Sequence, residues 1–162
     1  MTPNDLLANA YMTAQKLLHV MIDDLTPEEF ARQPVPGANC AAWVVGHLAL
    51  TLRNGLRRMR AADVPELPPG LEDQFKATKQ VAGQQAGYGD PKALVAVFDA
   101  CIERFIQMVR GLPADVLAGE PDFRGPFATN RAEAIQFGAL HIALHAGQLS
   151  TVRRSLGKPP VL

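Results

Sequence analysis

Apolar residues recur every three or four positions along four long segments of the chain, which is the spacing of one face of an α-helix. The segments span about residues 3–23, 39–62, 90–112 and 129–156. Clusters of glycine and proline separate them, and none shows the alternation of a half-buried strand. The pattern therefore predicts an all-α protein with four amphipathic helices.

Residues at the helix starts support these boundaries. Asn39 stands at the expected N-cap of the second helix, and Asp90 followed by Pro91 opens the third. The fourth begins at Asn130, with Glu133 three residues later in the position of a capping box. Each start is thus predicted from local sequence.

Four helices without strands between them are typical of an antiparallel four-helix bundle, the fold that we predict. The connections after the second and third helices, roughly 27 and 16 residues, are longer than a compact bundle needs. We expect them to carry short helices, with residues 71–81 as a candidate, or to form a functional rim over one end. The length suits a single domain over residues 1–162.

Charge and composition limit the kinds of partner that the protein is expected to bind. The 16 basic and 16 acidic side chains cancel, and the arginines are dispersed, so nucleic acid is not an expected partner. The longest apolar stretch, residues 41–52, is too short to span a membrane, and no secretory signal is evident near the N-terminus. Cys40 and Cys101 form no C-x-x-C pair and are expected to be buried. We predict a cytoplasmic protein without a membrane partner.

Histidines carry the clearest chemical signal. His141 and His145 are four residues apart and lie on one face of the fourth helix, while His47 lies on the inward stripe of the second. Three neutral imidazoles suit zinc, nickel, iron or copper and leave a coordination position open. The alternative is that they are core residues without an ion, but each unpaired buried imidazole would cost roughly 1 to 3 kcal/mol.

Two stretches resemble the signatures of a known family. NCAAWVVGHLALTLRN carries an Asn-x-x-x-Trp-x-x-x-His pattern, and HIALHAGQLSTVRRSLGKPP carries His-x-x-x-His-x-Gly-Gln before a basic ending. Both are similar to helices of the DinB-like (YfiT-like) superfamily. The resemblance implies an antiparallel four-helix bundle, often dimeric, that holds one divalent ion through His47, His141 and His145. Some relatives are transferases or isomerases that use low-molecular-weight thiols such as bacillithiol or mycothiol.

Three functional hypotheses follow. In the first, an ion of zinc, nickel or iron activates a thiol cofactor for S-transfer to, or isomerisation of, a small-molecule substrate. In the second, metal-bound water makes the protein a hydrolase. In the third, it is a non-catalytic stress-response or binding module. No general base, Ser-His-Asp pattern or phosphate loop is evident, so the catalytic and thiol-binding residues stay unassigned.

Other residues receive weaker predictions. Gln148 either bonds a metal-bound ligand or ties the fourth helix to a neighbour, Trp43 is core or pocket wall, and His19 lies at the surface or an interface. Turn, cap or pocket-rim roles are expected for Asp122, Arg124 and Asn130. A homodimer is predicted from second apolar stripes on the last two helices, formed by Val95, Ile102, Val109, Ile135, Ile142, Leu149 and Leu156.

Overall fold

Helices account for the regular structure of the chain. The computed structural model describes residues 1–70, 72–75, 87–122 and 126–161, and within them it has seven helices and no strand. The helices are α1 (Pro3–Ile22), α2 (Pro27–Ala31), α3 (Ala41–Arg58), α4 (Glu72–Phe75), α5 (Pro91–Arg110), α6 (Ala114–Ala118) and α7 (Arg131–Ser155). The all-α prediction is confirmed, and the four predicted segments correspond to α1, α3, α5 and α7.

Side-chain caps begin two of the long helices as predicted. The Asp90 side chain accepts from the backbone N–H of Lys92 at the start of α5, and the Asn130 side chain accepts from that of Glu133 at the start of α7. The prediction for α3 was wrong at this point, because its N-cap is Cys40 rather than Asn39. Cys40 is fully buried and provides no side-chain cap, so packing of this end against the core, rather than a local cap, accompanies the helix start.

α3 also ends before residue 62, the predicted boundary. Arg60 adopts a left-handed backbone conformation with φ of 55°, which an α-helix cannot continue. The Ala61 N–H then donates to the carbonyl of Leu56 at 2.9 Å, a bond that satisfies one of the last helical carbonyls. α3 therefore ends at Arg58, just before the left-handed conformation of Arg60.

α1 and α7 run side by side in the same direction. Tyr11 lies against Ile135 near the start of α7, and Arg153 near the end of α7 donates to the carbonyl of Met21 near the end of α1. α5 runs the opposite way, since the Asn4 amide at the start of α1 donates to carbonyls at the end of α5.

α3 runs opposite to α7 and therefore parallel to α5. His47 of α3 lies beside His145, in the second half of α7, while Arg58 at the end of α3 shares a pocket with Arg131 at the start of α7. The bundle thus consists of two parallel pairs, α1 with α7 and α3 with α5, that are antiparallel to each other. α3 and α5 are successive long helices of the chain and run in the same direction, so the chain must return along the whole bundle between them. This explains the length of the connection between α3 and α5.

The four long helices do not pack equally closely. α1 packs extensively on α7 and α3 on α5, whereas α3 and α7, although they are neighbours, make much less contact than these pairs. This leaves a seam between α3 and α7, and the seam is where the candidate site lies.

The apolar stripes from which a dimer was predicted are inside the bundle. Ile102, Val109, Ile142 and Leu149 are at most 1% exposed, because the packed helices absorb both stripes of α5 and α7. They therefore offer no surface to a second copy, although Leu140 and Leu144 on the outer side of α7 are exposed. Within the described residues, no helix has the length and apolar character needed to cross a membrane.

Candidate metal centre

Three of the four histidines converge in the seam between α3 and α7. His47 extends from α3, and His141 and His145 extend from successive turns of α7. One ligand atom from each lies within 4.8 Å of the others, and the Nε2 atoms of His141 and His145 are 3.1 Å apart. The structure brings together the three residues that were selected from the sequence.

The spacing fits a single small ion. Two nitrogens bound to one tetrahedral zinc at about 2.0–2.1 Å lie roughly 3.3 Å apart, close to the separation of the His141 and His145 Nε2 atoms. In the part of the chain that the structure describes, the group contains three histidines and no carboxylate or thiolate. This all-nitrogen donor set suits zinc, nickel or iron.

Burial keeps the three imidazoles neutral, which is the form that binds metal. For His145, burial and then the neighbouring His141 and His47 lower the pKa to about 4. Burial likewise lowers the pKa of His141, with His47 adding to the effect. The pKa of His47 is lowered by burial despite an opposing contact with a backbone carbonyl. A proton therefore does not compete for these nitrogens near neutral pH.

The second nitrogen of two of the rings contacts an oxygen acceptor. His145 Nδ1–H donates to Gln148 Oε1 at 3.0 Å, which leaves the Nε2 lone pair free to face the other histidines. His47 Nδ1 lies 3.5 Å from the carbonyl oxygen of Phe75, a longer contact of the same kind. Gln148 is itself exposed, so it orients His145 from the solvent side, a role that sequence reasoning did not assign to it.

The contact from Phe75 depends on a glycine. A Cβ at Gly46 would stand 2.2 Å from the Phe75 ring, so only glycine lets the fully buried ring lie on α3 next to His47. The buried Arg53 of α3 binds Glu66 and Glu72 and thereby holds the connection that carries α4. Sequence reasoning missed this arrangement; the signals were Gly46 beside His47 and the predicted helix over 71–81, of which only Glu72–Phe75 lies within the described helical residues.

Trp43 walls the site on the core side. Its ring stacks on the His47 ring with centroids 4.7 Å apart and planes 7° from parallel, and it is 1% exposed. Trp43 is therefore both a core residue and a wall of the histidine cluster.

An elongated pocket continues from His141 along the seam. Its walls are mostly apolar side chains of α3 and α7, and the rings of Tyr11 and Phe105 form its floor. Asp122 and Arg131, an ion pair, and Arg58 lie at the other end. Of the predicted rim residues, Asp122 lines this pocket, Asn130 caps α7 and Arg124 lies outside the described residues.

His19 lies away from this cluster. Its two ring nitrogens each lie 2.8 Å from a carboxylate oxygen, one on Asp23 and one on Asp99. Because Asp99 belongs to α5, the histidine joins α1 to α5, in agreement with its prediction as a surface or interface residue.

Comparison with known proteins identifies a family and a fold. The model of the DinB superfamily matches residues 10–149. A crystal structure titled as the conserved protein of locus from Enterococcus faecalis is similar over 98% of this chain and 99% of that chain, with a TM-score of 0.76 and 16% sequence identity. At that identity the likeness concerns the fold. No curated protein matches the sequence.

Proposed function

This chain belongs to the DinB superfamily, and on that premise we propose that it is a metal-dependent enzyme in which His47, His141 and His145 hold one divalent ion. The ion is zinc, nickel or iron, and it activates a low-molecular-weight thiol for S-transfer to, or isomerisation of, a small-molecule substrate. The observation that carries the proposal is the convergence of three neutral imidazoles, one of which, His141, also lines the end of an apolar pocket.

The chain's own residues prepare the site for this chemistry. Gln148 directs the Nε2 lone pair of His145 into the cluster, and Trp43 and Phe75 restrict water on the core side of His47. A divalent ion on three neutral ligands keeps its full charge and lowers the pKa of a bound thiol or water. The pocket that begins at His141 supplies room for a substrate beside the ion, which a purely structural ion would not need.

The metal is the first element of the proposal to test. We expect elemental analysis of purified wild-type protein to find about one divalent ion per chain, and His47→Ala and His141→Ala to lose it. His19→Ala is the matched control, because it removes a histidine outside the cluster and should keep the ion. Absence of an ion from the wild type, even after anaerobic loading with zinc, nickel or ferrous iron, would overturn the proposal.

The thiol is tested next on the metal-loaded protein. Bacillithiol, mycothiol and glutathione are each supplied with a chromogenic electrophile, and turnover should require a thiol and disappear in His145→Ala. Turnover without any thiol would instead identify a hydrolase. A metal-loaded protein that neither joins a thiol to the electrophile nor hydrolyses an ester substrate would fit a non-catalytic binding module.

We also propose that the protein acts as a homodimer in the cytoplasm. Leu140 and Leu144, 59% and 64% exposed on the outer side of α7, support a contact with a second copy. The cytoplasm keeps low-molecular-weight thiols reduced, as the proposed reaction requires. Light scattering should give twice the mass of one chain, and Leu144→Glu should shift it toward the monomer; a monomeric wild type would exclude the dimer.

A further inference from the structure

The pocket along the seam is long rather than round. Eleven residues of α3 separate His47 from Arg58, about 16 Å along the helix axis, and ten residues of α7 separate Arg131 from His141, about 15 Å. Because α3 and α7 are antiparallel, both arginines lie at the same end and the histidines at the other. The pocket therefore has two chemically different ends joined by a channel of substrate length.

The channel between these ends is apolar. Its walls include Leu48, Leu52 and Ile142, and the Tyr11 hydroxyl in its floor already donates to the carbonyl of Ile135 at 2.9 Å. The floor therefore presents aromatic rings rather than a free donor. The pocket encloses a cavity of about 100 Å³ and is partly open to solvent, so a ligand that extends along it can project beyond its mouth.

The far end carries one uncompensated positive charge. Arg131 makes two hydrogen bonds to the Asp122 carboxylate, at 2.9 and 3.2 Å, so those two charges cancel. Arg58 is exposed at the mouth and has no ion-pair or hydrogen-bond partner among the described residues. The lining thus combines one neutral histidine of the cluster, His141, with an apolar channel and a single free guanidinium. A guanidinium forms charge-assisted hydrogen bonds to a carboxylate.

We propose that this pocket binds an elongated apolar monocarboxylic acid, with its carboxylate at Arg58 and its opposite end at the histidines. The inference rests on the proposed function only in taking the histidine end as the reacting end. Arg58 is a binding residue that selects for acids over alcohols and amines of the same length. The apolar body contributes affinity through the methylenes buried in the channel.

Calorimetric titration with octanoate, octan-1-ol and octylamine tests the assignment, because the three differ only in the terminal group. Octanoate should bind the metal-loaded protein at least fivefold more tightly than octanol, and octylamine should bind most weakly. Hexanoate should bind about tenfold more weakly than octanoate, since two fewer methylenes are buried.

Variants at the arginine end provide the decisive comparison. Arg58→Gln should weaken octanoate binding at least fivefold and leave octanol binding unchanged. Arg57→Gln is the matched control, because Arg57 is the adjacent arginine, is paired with Glu66 and does not line the pocket. It should change octanoate binding by less than twofold.

The opposite orientation, with the carboxylate on the metal, predicts a different pattern. In the proposed orientation, metal-free His47→Ala retains octanoate binding, while Arg58→Gln binds octanoate at least fivefold more weakly. Loss in His47→Ala with no effect in Arg58→Gln would overturn the proposal, as would equal binding of octanoate and octanol or no binding of either. The metal content of the same samples is counted separately, so failure of the metal centre and failure of the acid pocket are distinguishable.

Discussion

Gly138 provides the sharpest test of how α1 packs on α7 beneath the pocket. A Cβ at this position would lie 2.1 Å from the Tyr11 hydroxyl oxygen and 3.2 Å from its Cζ. Tyr11 cannot easily move away, because it is 2% exposed, its ring lies 4.8 Å from that of Phe105, and its hydroxyl donates to Ile135. Gly138→Ala must therefore displace a buried ring or break that hydrogen bond.

The magnitude follows from three contributions. Overpacking a filled core costs about 1–3 kcal/mol, and loss of the Tyr11 hydrogen bond costs about 1 kcal/mol. Alanine returns about 1 kcal/mol through its higher helix propensity. We expect Gly138→Ala to lower the free energy of unfolding by about 1–3 kcal/mol. Tyr11→Phe alone should lower it by about 1 kcal/mol.

The double variant separates the steric clash from other effects. Removing the hydroxyl removes the 2.1 Å contact, so Gly138→Ala with Tyr11→Phe should be more stable than the sum of the single effects by about 1–2 kcal/mol. Equilibrium urea unfolding, followed by circular dichroism and by the fluorescence of the single tryptophan, measures all four proteins. Gly147→Ala is the control on the same helix, because nothing lies within 4 Å of its Cβ, and it should stabilise the protein by about 0.5–1 kcal/mol. Additivity within about 0.5 kcal/mol, or a Gly138→Ala variant as stable as the control, would refute the reasoning.

The remaining predictions concern the metal centre and the surface histidine. Gly46→Ala should displace Phe75 and weaken zinc binding about tenfold, as measured by competition with a chelator. Unchanged zinc affinity would show that the Phe75 carbonyl does not position His47. Gln148→Leu should weaken zinc binding about 10- to 100-fold, because His145 Nδ1 loses its hydrogen-bond acceptor. Gln148→Glu keeps an acceptor oxygen at this position and should bind zinc as the wild type does. Burial lowers the pKa of His19, but hydrogen bonds to two carboxylates outweigh burial and raise the pKa overall. The stabilisation that protonated His19 provides is therefore complete below about pH 6.5 and is lost as pH rises through the folded-state pKa. Urea unfolding at about pH 6 and 8 should therefore show a larger loss of stability in the wild type than in His19→Gln, and equal losses would contradict this role.

Local sequence was enough to predict the helices and two of the three histidines of the metal cluster. The apolar spacing and the caps at Asp90 and Asn130 depend on residues within a few positions of one another, so the four long helices could be predicted without knowledge of the fold. The spacing of His141 and His145 likewise places both on one face of a single helix. The third ligand, His47, could not be assigned from local sequence alone, because its approach to His141 and His145 depends on which helices are neighbours. The family resemblance supplied that information.

Long-range packing decided the features that have no local signature. The inward position of Ile142 and Leu149, the contact of the Phe75 carbonyl with His47 and the placement of Arg58 opposite the histidines all depend on the directions of α3 and α7. A helical period shows that a residue belongs to a stripe, but the stripe's partner is set by contacts between residues far apart in the chain. The sequence therefore determined the helices and the candidate ligands, while the tertiary structure decided the seam, the pocket and its charged end.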